Sequence, residues 1–159
     1  MDMSSYEISN CHYTNCWAEW QLLLPNRVGY FNLFLVMGGV GNLHILGRDY
    51  PATIGDCFLV DMGKPCEGTH NPQTPLIVPW IVFRPLPDRA VRIAHFPLHR
   101  RISNIQLLCG IMQQAIDAFA NPQCEKNLPC EWLHIALRQL EAEDEKADKI
   151  GTMGGHYQT

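Results

Sequence analysis

The chain has 159 residues, 47% of them hydrophobic and 18% charged, which supplies one well-buried domain and leaves too little length for two of ordinary size. A formal charge of -4 and a pI near 5.9 argue against a nucleic-acid-binding surface spread over the chain, because neutralising phosphate takes a surplus of Lys and Arg. The opening MDMSSYEISNCHYTNC lacks the basic and apolar regions of a signal peptide, and no apolar run is long enough for a membrane span, so a soluble, cytoplasmic protein is expected.

Residues 1–10 are polar and patternless and read as a flexible N-terminal arm. From Cys11 to Leu24 the aromatic residues Tyr13, Trp17 and Trp20 and a leucine run predict one or two strands ending at Pro25-Asn26. Tyr30–Met37 is almost continuously apolar, and the glycines at 38, 39 and 41 permit a hairpin into a second strand at Asn42–Leu46. Further strands are expected at Tyr50–Ile54 and Cys57–Asp61, with turns at Gly47 and Gly55-Asp56, a spacing typical of a sandwich or barrel. Met62–Pro79, rich in Gly, Pro, Thr and Asn, reads as a loop interrupted by an edge strand. Trp80–Phe83 and Ala90–Phe96 complete the predicted strands.

After Pro97 the period changes. Ile102, Ile105, Leu108, Cys109, Met112, Ile116 and Phe119 recur three or four apart and predict an amphipathic helix over 99–120. A second helix starts near Pro129 and runs through Trp132, Leu133, Ala136, Leu137 and Leu140 into a charged stretch, the two forming an antiparallel pair. The expected organisation is therefore an arm (1–10), a β-barrel (11–97), a helical segment (98–146) and a disordered tail (147–159). The seven cysteines, Cys11, Cys16, Cys57, Cys66, Cys109, Cys124 and Cys130, are odd in number and form no CxxC, so free, mostly buried thiols are expected.

The string GGVGNLHILGRDYPATIGDCFLVDMGKP, followed by WIVFRP at Trp80–Pro85 and two helices, resembles the N-terminal effector-binding domain of AraC-type transcription regulators over about residues 20–145. The resemblance implies a mainly β fold, a cupin-like (double-stranded β-helix or jelly-roll) barrel that binds a small effector, followed by helices that form a homodimer, here through Ile105, Leu108 and Met112. It further implies an arginine before the first long strand and a tryptophan in WIVFRP as ligand contacts. Arg27 and Trp80 occupy those positions, and Val78 stands where the family carries a pocket histidine. Glu67, His44, Trp17 and Trp20 are further candidates for the pocket, whose ligand is expected to be a small polar metabolite, sugar-like in character. Family members continue into a DNA-binding domain, and no such pattern follows Lys149, so any DNA contact is expected from a domain absent from this chain.

Cupins also serve as metalloenzymes, and an isomerase or dioxygenase-like enzyme acting on a sugar or organic acid is the alternative. A metal site needs three or four converging donors. Matching the cupin spacing puts His44 and Leu46 at the first histidine pair, Tyr50 near the glutamate and Cys66 at the later histidine, leaving two possible donors. Cys11, His12, Cys16 and His70 fit no standard zinc spacing. GxSxG, phosphate-loop and HExxH motifs are missing from the sequence. Neither a catalytic residue, a metal nor a cofactor is therefore expected.

Overall fold

The computed structural model describes the backbone of residues 5–15, 21–23 and 27–157, and the side chains of 5–15 and 27–148. In chain order the elements are β1 (Tyr6–Asn15), β2 (Gln21–Leu23), β3 (Phe31–Leu35), β4 (Gly41–Ile45), β5 (Arg48–Ala52), β6 (Asp56–Asp61), β7 (Cys66–His70), β8 (Ile77–Pro85), α1 (Pro87–Ala94), β9 (His99–Arg101), α2 (Ile105–Ala120) and α3 (Leu128–Tyr157). One sheet has the order β1-β8-β3-β6-β9 and the other β2-β7-β4-β5, with every paired strand antiparallel. Mainly β with a barrel of two sheets and a C-terminal helical pair, the fold is the cupin-like class expected from the sequence.

The first sheet is the middle of three layers. Side chains alternate across a strand, and here both faces are covered. Leu33, Leu35, Cys57, Leu59, Ile81 and Phe83 pack with Leu108, Met112, Leu133 and Leu137 of the helices. Phe34, Val36, Phe58, Val60 and Val78 pack with Leu43, Ile45, Ala52 and Cys66 of the second sheet. Double coverage explains why β3 is apolar at nearly every position, whereas β4, with one face outward, alternates buried and open residues.

The structure moves several boundaries. Strand β1 begins at Tyr6, inside the segment expected to be a flexible arm, because Tyr6 is buried edge-on against Phe83 and Glu7 pairs with Arg84. Strand β7 lies between β2 and β4 rather than at an edge. The segment expected to form a strand at Ala90–Phe96 is instead the helix α1, which opens on Pro87 with Asp88 in its first turn and Arg92 in its last. That arrangement suits the helix dipole, and Pro at the first position loses no hydrogen bond. The sheet reaches past residue 97 in β9, so the predicted helix starts only at Ile105, where the Asn104 side chain accepts from the Leu107 N–H at 3.1 Å. Helix α3 continues to Tyr157, past residue 147 where disorder is expected. Glycines there lower helix propensity but, unlike proline, leave every N–H in place.

Leu108 and Met112 are fully buried, and Ile105 packs against the same core, so the residues expected to form a dimer face are intramolecular. The helical repeat identified an apolar face correctly, but the first sheet covers it. The six cysteines at 11, 57, 66, 109, 124 and 130 are free, and the first three are buried. No helix among the described residues is long and apolar enough to cross a membrane.

Candidate functional site

Antiparallel register sorts the concave face of the first sheet, the face turned to the second sheet, into rows of side chains. Asn10, Val82, Asn32 and Val60 lie opposite one another across β1, β8, β3 and β6. One row along come His12, Trp80, Phe34, Phe58 and, on β9, His99. This second row is an aromatic band: Phe34 stacks on Phe58 with centroids 5.2 Å apart, and the His99 ring lies 4.9 Å from Phe58. Tyr50, from the facing sheet, meets Phe58 edge-on at 6.2 Å.

Trp80 is only partly buried, and its indole is fixed by an Nε1–H bond to Thr14 Oγ1 at 2.6 Å. The bond satisfies the indole's one donor and leaves the ring available for stacking. Asn32 is 6% exposed, and its Oδ1 is a buried side-chain oxygen with no hydrogen-bond partner. Its register neighbours Val60 and Val82 have no side-chain donor to offer.

Arg27 stands beyond Asn32 on the same side. Its guanidinium lies 3.9 Å from the centre of the Tyr30 ring, and Nη1 and Nη2 each reach Ser9 Oγ at 3.2 Å. Tyr30 has the parity of Asn32 and Phe34, so Arg27 and Trp80 bracket Asn32 along roughly 13 Å of strand. The two residues singled out by the family resemblance thus share a face.

The other candidates do not join them. His44 and Glu67 lie opposite each other on β4 and β7, at the parity that leaves the barrel, and the His44 ring pairs outward with Asp49 at 2.8 Å. A strand alternates sides, so Leu43 and Ile45 face inward and His44 cannot. Cys66 faces inward beside Ile45, on the opposite side of the sheet from His44, and the two cannot share a metal. Leu46 sits in the turn after β4 with φ 50. Among the described residues no three His, Cys, Asp or Glu side chains converge as a metal-ligand set. Trp17 and Trp20 lie outside the described residues.

At the far end of the concave face is a polar lock. Asp56, 4% exposed, accepts from the Thr53 N–H at 2.8 Å and His99 Nε2 at 2.8 Å, and pairs with Arg101 at 3.0 Å. Burial by itself would raise the Asp56 carboxyl, but the Thr53, His99 and Arg101 partners outweigh it and hold the group below its ordinary value. The buried thiols go the other way: burial pushes Cys57 up to about 12 and Cys66 to about 11, so neither is a ready nucleophile. Sequence reasoning missed Asn32, Thr14, His12 and the Asp56–His99 pair. Only Asn32 carried a readable signal, a lone amide inside the apolar run FNLFL.

No protein-family model and no curated protein matches the chain. Solved structures do. The AraC-like transcriptional activator CuxR aligns at 16% identity over 73% of this chain and 42% of its own length, with a TM-score of 0.51. An apo form of ToxT from Vibrio cholerae aligns at 11% identity over 92% of this chain and 58% of its own, with a TM-score of 0.57. ToxT with an unsaturated fatty acid bound aligns at 8% identity, covering 89% and 56%, with a TM-score of 0.51. The likeness is one of fold, and the chain spans about half the length of the regulators it matches.

Proposed function

We propose that this chain is the effector-sensing and self-associating part of an AraC-type transcription regulator and performs no catalysis. Its effector is a small polar metabolite, sugar-like in presenting hydroxyls and an apolar face, held on the concave face of the first sheet. The observation that carries this reading is the juxtaposition there of a tethered and only partly buried indole, Trp80, with a buried amide, Asn32, whose Oδ1 has no hydrogen-bond partner. A ring face and a few aimed polar groups on apolar walls are what a small-molecule site requires. The fold shared with CuxR and ToxT, the latter also solved with an unsaturated fatty acid bound, supports placing a ligand inside such a barrel.

Strand β9 gives the site an outlet. His99 joins the aromatic band and bonds Asp56, while the neighbouring Arg100, pointing the other way, bonds Asp144 of α3. A ligand that binds one setting of β9 better than another shifts the population of α3 positions by its differential affinity. Recognition of DNA belongs to the part of such regulators that this chain does not span. Self-association involves the apolar residues the helices leave open, Leu107, Phe119 and Ile135. The test is to titrate the purified chain with monosaccharides and sugar acids while following tryptophan fluorescence and sedimentation. A dimer with a saturable fluorescence change is expected; a monomer unresponsive to every compound overturns the proposal.

A further inference from the structure

Helix α2 carries a single charge in 16 residues, at Asp117. One side of it, with Leu108, Ile111, Met112, Ala115, Ile116 and Ala118, is buried. Helical periodicity puts Gln106, Leu107, Gly110, Gln114 and Asp117 on the other side, and all five are exposed. A helix face left to water usually carries charges, as α3 does with Glu131, Arg138, Glu145 and Lys146. From Gln106 to Gln114 the outer face of α2 carries none.

Gly110 stands at the centre of that face. Glycine inside a helix is less favourable than alanine, and the chain's own packing does not require it here, because a Cβ at Gly110 would meet nothing within 4 Å. What the missing side chain supplies is a notch into which another helix can pack closely. A basic or an acidic partner finds no opposite charge between Gln106 and Gln114. A second copy needs none: an amide both donates and accepts, so these glutamines are complementary to themselves across a two-fold axis. The net charge of -4 makes two copies repel, and an uncharged face is where they approach at least cost. Asp117 lies two turns beyond Gly110 and is held by Gln113, whose Nε2 donates to its Oδ1 at 2.8 Å.

Resting on the self-association proposed above, we infer that the outer face of α2 is an interface with a second copy of this chain, the two α2 helices crossing at Gly110 with Gln106 and Gln114 paired on either side.

Sedimentation of the full chain and its variants tests this. Gly110→Arg fits the open space and has the better helix propensity, so circular dichroism should show an intact fold while the dimer dissociation constant rises on the order of ten-fold or more. A chain with Gln106→Glu and Gln114→Glu, and another with Gln106→Lys and Gln114→Lys, each set like charges face to face and should associate about ten-fold more weakly. An equimolar mixture of the two should recover the dimer, because each face then meets its opposite. A Gly110→Arg chain that dimerises as tightly as the unmodified one overturns the inference and leaves self-association to other residues. A mixture that stays monomeric also overturns it, and means that the face meets a different protein. An unmodified chain that is monomeric at every concentration rejects both the inference and the self-association it rests on, while ligand sensing is read separately by fluorescence.

Discussion

Arg100 and Asp144 form a two-pronged ion pair, Nε to Oδ1 at 2.7 Å and Nη2 to Oδ2 at 2.9 Å, that ties the edge strand β9 to helix α3. The Arg100 side chain is 5% exposed and that of Asp144 36%, so the two ends of the pair are not equivalent. Asp144→Ala strands a buried guanidinium and should cost about 3 kcal/mol, whereas Arg100→Met frees an aspartate that reaches water and should cost about 1 kcal/mol. Urea unfolding of both single variants and the double variant checks the asymmetry. The ligand response of α3, read by hydrogen exchange, should vanish in either.

Next to this pair, the buried Glu143 accepts from Ser103 N–H and Oγ and from Asn104 N–H, closing the start of α2 from the side of α3. Glu143→Gln keeps the shape and weakens bonds to a charged acceptor, so a loss of about 1–2 kcal/mol is expected by thermal denaturation.

Leu108 decides between a dimer face and a core. Leu108→Glu places a charge in the fully buried layer between α2 and the first sheet and should destabilise the chain by more than about 3 kcal/mol. Phe119→Ser, at a residue 42% exposed, should leave the melting temperature within about 2 °C and weaken self-association. Sedimentation and circular dichroism on the two variants separate folding from assembly.

Acid stability should report on Asp56. Its carboxyl is held below its ordinary value in the folded chain, so the unfolded chain binds the proton more readily and stability rises with pH through that window. The contribution is complete above the ordinary carboxylate value and disappears as pH falls through the lowered one. Asp56→Asn should lose about 1.5–3 kcal/mol at pH 7. Its loss should shrink as pH falls through the lowered carboxyl value, where both side chains become uncharged. A difference that stays constant from about pH 7 down to the acid transition would falsify this role.

Gly39 sets the turn between β3 and β4. It has φ +79, and a Cβ there would stand 2.1 Å from the Pro75 carbonyl oxygen. Gly39→Ala should cost more than about 2 kcal/mol, from the left-handed backbone and the collision together. By contrast Gly47→Ala, with φ +80 but open space around it, pays only for the backbone and should cost about 1 kcal/mol. Chemical denaturation of the pair isolates the steric part.

By itself the sequence determined the class of fold. Glycine turns at 38–41, 47 and 55 cut the chain into short apolar strands, and a three-to-four repeat after Pro97 marked the helices, because both signals are local and depend only on backbone geometry. The same local rules misread Ala90–Phe96, where Pro87 starts a helix rather than merely ending a strand. Only the tertiary structure decided which residues form the candidate site. Whether His44 faces the barrel or solvent turns on a single residue of register, and pairing with β7 and β5 sets that register. The apolar run FNLFL marks Asn32 as a lone amide among buried residues, but only the strands on either side and the sheet opposite leave its oxygen without a partner. The helix face of Leu108 and Met112 looked unpartnered for the same reason, since the sheet that covers it comes from residues far away in the chain.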